Sequence, residues 1–129
     1  MDEIRTHVGI DEALCGTPVA LTEGRAEVEL RTSGAMAADR RGLVHGGFVF
    51  GAADYAAMLA VNDPCVVLGA AESRFTAPVE VGETVLLRAE RTACSGRKHV
   101  VTVSGAVGER VVFEGTFTTF VLDGHVLDR

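Results

Sequence analysis

Residues 42–61 read Gly42-Leu-Val-His45-Gly46-Gly47-Phe-Val-Phe-Gly51-Ala-Ala-Asp54-Tyr55-Ala-Ala-Met-Leu-Ala-Val61. Two residues break the apolar run: His45, just before a glycine pair, and Asp54, with Tyr55 beside it. Burying an unpaired carboxylate costs several kcal/mol or more, so Asp54 in such a setting needs a reason. Gly46-Gly47 ahead of good helix formers reads as a helix N-terminus whose backbone N–H groups can be approached closely. That end carries partial positive charge and free donors. The spacing predicts a helix from about Gly46 to Val61, stopped by Asn62-Asp63-Pro64. An anion-stabilising helix end and a carboxylate on one helix suggest acyl-transfer chemistry.

Nine residues separate His45 from Asp54, about 13 Å of axial rise at ~1.5 Å per residue, and two and a half turns place them on opposite sides. Within one chain the two cannot grip the same small carbonyl. Two antiparallel copies of the helix about a two-fold axis would bring the N-terminus of one against Asp54 of the other. If catalytic, the motif implies a homodimer with shared sites. Structural readings stand beside this: two glycines at an N-cap with a satisfied histidine, and a carboxylate bonded to neighbouring backbone.

Outward from the helix, residues 3–14 are expected to form a short helical lead-in, weakened by Gly9. Pro18 to Thr22 and Arg25 to Arg31 read as a hairpin around Glu23-Gly24. In its second arm Ala26, Val28 and Leu30 alternate with charged residues, the pattern of a strand buried on one face. Thr32 to Val44 is a loop. Downstream, Val66 to Pro78, Thr84 to Cys94, Lys98 to Val107 and Arg110 to Val121 are strands joined by short turns, which implies antiparallel order. A long helix that is apolar all round must be covered on every side, by a curved sheet and by another subunit.

With 129 residues the chain is expected to be one domain, residues 1–129. Apolar content of 47% and a mean hydropathy of +0.25 exclude disorder. Net charge of -6 and a pI near 5.1 argue against nucleic acid as a partner. The start, Met1-Asp2-Glu3, lacks a signal peptide's basic and apolar regions. Residues 42–61 approach the length of a membrane span, but four glycines, a His and an Asp, with flanking Arg40-Arg41 and Asn62-Asp63-Pro64, mark a helix of a soluble core. Cys15, Cys65 and Cys94 are odd in number and lack metal-ligand spacing, which predicts reduced thiols in a cytoplasmic protein.

Other chemistries find no support. His7, His45, His99 and His125 show no metal-ligand spacing. Ser33, Ser95 and Ser104 are each followed by glycine, but none has glycine two residues before it, so there is no nucleophile elbow. No phosphate-binding loop with a Gly-Lys-Ser/Thr ending occurs. Arg40 and Arg41 before the helix, or Arg97 and Lys98 at a hairpin, could meet an anionic ligand tail; the alternative is a solvated loop or hairpin tip.

Val44-His45-Gly46-Gly47, with Asp54 nine residues after the histidine, resembles the hot-dog fold acyl-CoA thioesterases of the phenylacetate-pathway (PaaI-like) type. The stretch Arg74-Phe75-Thr76-Ala77-Pro78-Val79 with Gly82-Glu83 is similar to that family's strand and turn after the helix. Together these cover roughly residues 25–121. The resemblance implies an α+β hot-dog fold, an antiparallel sheet of five or six strands wrapped around a central helix. It also implies a homodimer joining two sheets, often paired into a tetramer, and hydrolysis of an acyl-CoA thioester without metal or organic cofactor. By the same resemblance Asp54 matches the catalytic carboxylate and His45 the motif histidine near the thioester. Gly46 or Gly47 supplies the N–H that polarises the carbonyl. Phe48 and Tyr55 are expected to shape the acyl pocket, and Arg97 and Lys98 to meet the coenzyme A phosphates.

Two departures stand out. The family commonly has asparagine six residues before the motif histidine, where this chain has Asp39, and an ionised aspartate cannot donate a hydrogen bond. The strand after the helix, Val66-Val67-Leu68-Gly69, lacks the serine or threonine that some relatives use. The leading expectation is a cytoplasmic acyl-CoA thioesterase with Asp54 as general base or nucleophile. The alternatives are a hot-dog hydratase or dehydratase and a non-catalytic acyl-CoA binding module.

Overall fold

A computed structural model describes residues 1–128. After a short helix α1 (Glu12–Cys15) come β1 (Thr17–Thr22) and β2 (Arg25–Arg31), a 3-10 turn at Gly34–Met36, and the long helix α2 (Gly46–Val61). Strands β3 (Val66–Phe75), β4 (Thr84–Ser95), β5 (Lys98–Val107) and β6 (Arg110–Val121) follow. The six strands form one sheet in the order β1-β2-β4-β5-β6-β3, with every neighbouring pair antiparallel. This is the hot-dog arrangement, a sheet curved around one helix.

Sequence and packing agree along β2, where Ala26, Val28 and Leu30 are buried while Arg25 and Arg31 are exposed. On the concave face these meet Leu87, Val101, Val103, Phe113 and Phe117, all buried. The helix turns Ala52, Ala53, Ala56, Ala57 and Ala60 toward that wall. Short side chains let sheet and helix come close while Met58 and Leu59 fill the volume between them. Close approach also explains Gly105, where a Cβ would sit 2.8 Å from Leu87 Cδ1. Irregular registers at Leu68/Ala70, Arg91/Ala93 and Gly105/Ala106 bend the strands around the helix.

The helix ends as the sequence predicts. Asn62 takes the left-handed conformation (φ 53°) and its N–H returns to the Met58 carbonyl at 2.8 Å. Two expectations need correction. The lead-in is helical only over Glu12–Cys15, where Asp11 caps the helix through the Ala13 N–H at 2.9 Å. Upstream of it, the Arg5 N–H and the Glu3 carbonyl bond the Asn62 amide, each at 2.8 Å, and His7 sits at φ 53°. Backbone held by a distant side chain in this way is not free to coil. Strand β3 stops at Phe75, short of Pro78, whose ring nitrogen has no hydrogen to donate. Among the described residues, no helix is long and apolar enough to cross a membrane.

The sheet does not close around α2. Gly47 is exposed, and Gly51 and Asp54 are half-buried. Spaced four and three residues apart, they fall on one face and form an open seam, with half-buried Phe50 and Val61 also on α2. A Cβ at Gly51 would meet nothing within 4 Å.

Candidate active site on the central helix

The helix start is held from three directions. Val44 N–H donates to the Val79 carbonyl at 2.8 Å and His45 N–H to the Met36 carbonyl at 2.9 Å. The His45 ring then folds back as the N-cap, its Nδ1 accepting from Gly47 N–H at 2.9 Å. A neutral ring accepting at Nδ1 carries its proton on Nε2, which leaves an exposed N–H donor. Gly47 is required by this geometry, since a Cβ there would lie 2.8 Å from Nδ1. Phe48 N–H also bonds His45, through the carbonyl, at 3.1 Å. Gly46 N–H has no partner among the described residues.

Gly46 lies under the ring of Phe75, which a Cβ at that position would meet at 3.2 Å. Next to it opens a cavity of about 380 Å³ lined by Val44, Val49, Phe75, Pro78 and Val112. A free backbone donor thus borders an apolar hollow. Phe48 is half-buried and stands edge-on to His45, centroids 6.3 Å apart. The role of Phe75 has no local signal in the sequence, because it depends on the end of β3 folding over the start of α2.

Asp54 sits two turns along. Its Oδ1 is buried and has no hydrogen-bond partner among the described residues. Burial pushes its pKa up from the ordinary 3.8 to about 6. Cys15 of α1 is close enough to feel it: burial raises the thiol's pKa, and the charges of Asp11 and Asp54 add to that. Tyr55 is buried at 3% exposure with His7 beside it, ring centroids 6.2 Å apart. Its phenol is raised by burial first, then by Glu12 and Cys15. The N-terminal segment therefore walls one side of Asp54. Sequence reading missed this, since nothing local to His7 or Cys15 marks a contact with residues so far along the chain.

The remaining candidates are dispersed. Asp39 is exposed in the loop before α2, where its Oδ1 accepts from Arg41 N–H at 2.9 Å and Leu43 N–H at 3.2 Å. It thereby shapes the loop that delivers His45. Arg40 and Arg41 are exposed near the same end. Arg97 and Lys98 lie at the opposite end, where the Arg97 carbonyl accepts from Val121 N–H and the Cys65 carbonyl from Leu122 N–H. The Arg97 guanidinium pairs with Asp123 at 2.6 Å; Lys98 is exposed, without an ion pair among the described residues. One chain thus brings together His45, Gly46, Gly47, Phe48 and Phe75, and separately Asp54, Tyr55, His7 and Cys15. Among the described residues, no group of three or more His, Cys, Asp or Glu could hold a metal ion.

No family model matches the chain. Among curated proteins it is similar to methylthioribose-1-phosphate isomerase of Aquifex aeolicus, 52% identical over 122 residues, 94% of this chain but 27% of that protein. It is also similar to the transcription factor FapR of Bacillus velezensis, 31% identical over 122 residues, 93% of this chain and 60% of FapR. The chain thus spans about a quarter of the first relative and about three fifths of the second. Among solved structures, an uncharacterized protein from Pyrococcus horikoshii superposes with a TM-score of 0.97 at 53% identity, covering 98% of both chains. An asparagine-to-aspartate variant of the phenylacetic acid degradation protein PaaI from Thermus thermophilus gives 0.78 at 29% identity, covering 86% of this chain and 96% of that one. A hypothetical thioesterase from Streptococcus pneumoniae, solved with coenzyme A, gives 0.76 at 20% identity over 84% and 87% of the two chains, a likeness of fold.

Proposed function

Because the chain belongs to the hot-dog fold thioesterase superfamily, of the PaaI-like type, we propose that it hydrolyses an acyl-CoA thioester to free acid and coenzyme A at a site shared between two subunits. The observation that carries this reading is Asp54, a carboxylate with a buried, unpartnered oxygen and a pKa near 6 on the one open seam of the central helix. A structural aspartate would have its oxygens bonded. A base that must be ionised and desolvated near neutral pH has this environment.

In the proposed reaction two helices lie antiparallel across the open seam, so Asp54 of one chain faces the start of the other's helix. Asp54 takes a proton from water as the oxygen adds to the thioester carbon, or attacks that carbon itself to form a mixed anhydride that water then cleaves to the free acid, regenerating the carboxylate. The developing oxyanion meets Gly46 N–H at the positive end of the helix. One such donor is worth roughly 3–4 kcal/mol where tested in other enzymes. Collapse breaks the carbon–sulfur bond and expels the coenzyme A thiolate, which takes up a proton. His45 presents Nε2–H toward the thioester, while Gly47 holds the ring in place. Asp39 contributes through the loop it ties.

Phe48, Phe75 and the cavity beside Gly46 receive the acyl group or the pantetheine arm, with Tyr55 shaping the wall near Asp54. Lys98, and Arg97 if it exchanges Asp123 for a phosphate, are offered to the nucleotide end of coenzyme A. No metal or organic cofactor enters this scheme. A cytoplasmic setting, in which three unpaired cysteines stay reduced, fits it.

A second reading has its own support. About three fifths of a transcription factor matches this chain at 31% identity, so a domain of this kind also occurs in a regulator, and acyl-CoA binding without turnover is the alternative. The test is an assay over a panel of acyl-CoAs with released thiol measured, beside calorimetric binding of the same compounds. Turnover that disappears in Asp54→Asn while binding persists supports hydrolysis. Binding without thiol release in the unaltered protein supports the second reading.

A further inference from the structure

Strands β4 and β5 carry a cysteine and a histidine that the proposed reaction does not use. Along this hairpin the register steps by one residue between Arg91 and Ala93. Arg91 stands opposite Val101 and Ala93 opposite Val100, so Thr92 is the extra residue of a bulge. Its hydroxyl braces the kink by donating to the Val100 carbonyl at 3.4 Å. Had the ladder run on without the bulge, Ala93 would stand opposite His99. With it, Cys94 takes that place, and directly opposed residues share a face of the sheet. The Cys94 Sγ lies 3.6 Å from His99 Nε2.

The surroundings of the two side chains set what they can do. Cys94 is exposed, while Cys15 and Cys65 are half-buried. His99 is half-buried, and its carbonyl accepts from the hydroxyl of buried Thr119 at 3.0 Å. The ring's Nδ1 is buried with no partner among the described residues, which confines proton exchange to Nε2. The charged groups acting on the ring are Arg91, on β4, and Asp63, in the loop after α2. Burial lowers the ring's pKa below the ordinary 6.5, Arg91 adds to that, and Asp63 opposes both. The ring is thus neutral at pH 7, the form that accepts a proton. Nearby cations are partly spoken for, Arg91 by Glu23 at 3.6 Å and Arg97 by Asp123.

The bare Nδ1 separates two chemistries. A cysteine–histidine pair that transfers acyl groups has its histidine oriented by a third side chain, and none reaches Nδ1 among the described residues. Exchange with a disulfide needs only a base beside the sulfur, because the thiolate is the nucleophile and no oxyanion forms. We propose that Cys94, with His99 as its base, is a site of reversible mixed-disulfide formation with a low-molecular-weight disulfide. The Cys94 proton passes to Nε2 as the sulfur attacks one sulfur of the disulfide. A new sulfur–sulfur bond forms, the old one breaks, and the departing thiolate takes the proton from Nε2. Cys94 is oxidised and the released thiol is the reduced product, so the exchange balances without another reactant. A second small thiol reverses it by the same route. The site lies on the hairpin of Arg97 and Lys98, at the end opposite His45, and does not depend on the proposed hydrolysis.

Intact-mass spectrometry with peptide mapping tests this on the full chain. Glutathione disulfide and coenzyme A disulfide, a peptide and a nucleotide source of the same chemistry, are incubated with it separately. One adduct is expected, at Cys94, formed at least about tenfold faster than at Cys15 or Cys65 and removed by dithiothreitol. The faster of the two reagents identifies the class of thiol the site takes; failure of both overturns the proposal. His99→Gln is expected to slow loading about tenfold at pH 7 and to match the unaltered chain above about pH 9, where the thiol ionises unaided. A histidine that only supports the fold would not produce that convergence. Exposure is separated from pairing by Cys94→Ala combined with Ala93→Cys, which moves the thiol to the other face at an equally exposed position. That chain is expected to load as slowly as His99→Gln, and it decides the matter if His99→Gln fails to fold. Faster loading at Cys15 or Cys65, equal rates with and without His99 at pH 7, or full reactivity of the moved thiol overturns the proposal.

Discussion

Two places on α2 handle polarity in opposite ways. At its start, donors and acceptors satisfy one another: His45 takes the N–H groups of Gly47 and Phe48, the Met36 carbonyl takes that of His45, and the Gly46 N–H has no partner among the described residues. At its middle, Asp54 keeps a buried oxygen with no partner among the described residues. The first arrangement stabilises the fold and leaves one group aimed outward. The second costs stability, and in the proposed reaction it leaves a group ready to react. On that reading the stability deficit marks the reacting residue, present at Asp54 and absent at the helix start.

Asp54→Asn attacks that contrast most directly. In the proposed reaction turnover falls by ~100-fold or more, the scale of a lost general base. The same change should raise stability at pH 7. A pKa moved from 3.8 to about 6 corresponds to at most ~3 kcal/mol at 1.36 kcal/mol per unit. The sign follows from the raised pKa: the folded state holds its proton longer, so the Asp protein loses stability as pH climbs from about 4 to 6. The gain in the Asn form is therefore absent below pH 4 and complete above pH 6. Thermal melts at both extremes check it; a lower melting temperature of the Asn form at pH 7, with activity per folded molecule preserved, would return Asp54 to a structural role. Mixed dimers with a chain damaged at His45-Gly46-Gly47 should recover one of two sites. No recovery after demonstrated chain exchange ends the shared-site scheme.

Rate against pH sharpens the comparison from the other side. In the proposed reaction ionised Asp54 is the active form, so kcat/KM should rise about tenfold per pH unit below about 6 and level off above it. A half-point near 4 would mean that the carboxylate is solvated in the working assembly.

Gly47→Ala probes the satisfied end, and there two effects oppose. Alanine is the better helix former by ~1 kcal/mol, while its Cβ displaces the His45 ring and loses a cap worth ~0.5–2 kcal/mol. Stability should change by under ~1 kcal/mol in a chemical denaturation curve, yet turnover should drop by about tenfold as Nε2 moves. The smallest effects belong to Lys98→Ala and Arg97→Ala. Because phosphate contacts act on substrate and transition state alike, KM should rise a few-fold with kcat nearly unchanged. Constant KM in both leaves them as surface residues, Arg97 held by Asp123.

What was legible in the sequence is what short-range chemistry sets. Gly46 and Asn62 bound the helix because glycine and a left-handed asparagine act on their own backbones. Alternation along Arg25–Arg31 assigns the faces of β2 because pleat and burial share a period of two. The proposal that His45 and Asp54 meet across a dimer rests on the rise per residue alone. What the sequence left open depends on which distant segments meet. Local propensity favours a helix over residues 3–14 and knows nothing of the Asn62 amide that claims Glu3 and Arg5. Phe75 over Gly46, Cys15 beside Asp54 and the choice of Gly46 over Gly47 as free donor follow from close approach between elements far apart in the chain. Local rules fix each element because their energies act within a few residues; contacts between elements are selected jointly by the whole packed core, so tertiary structure alone decides them.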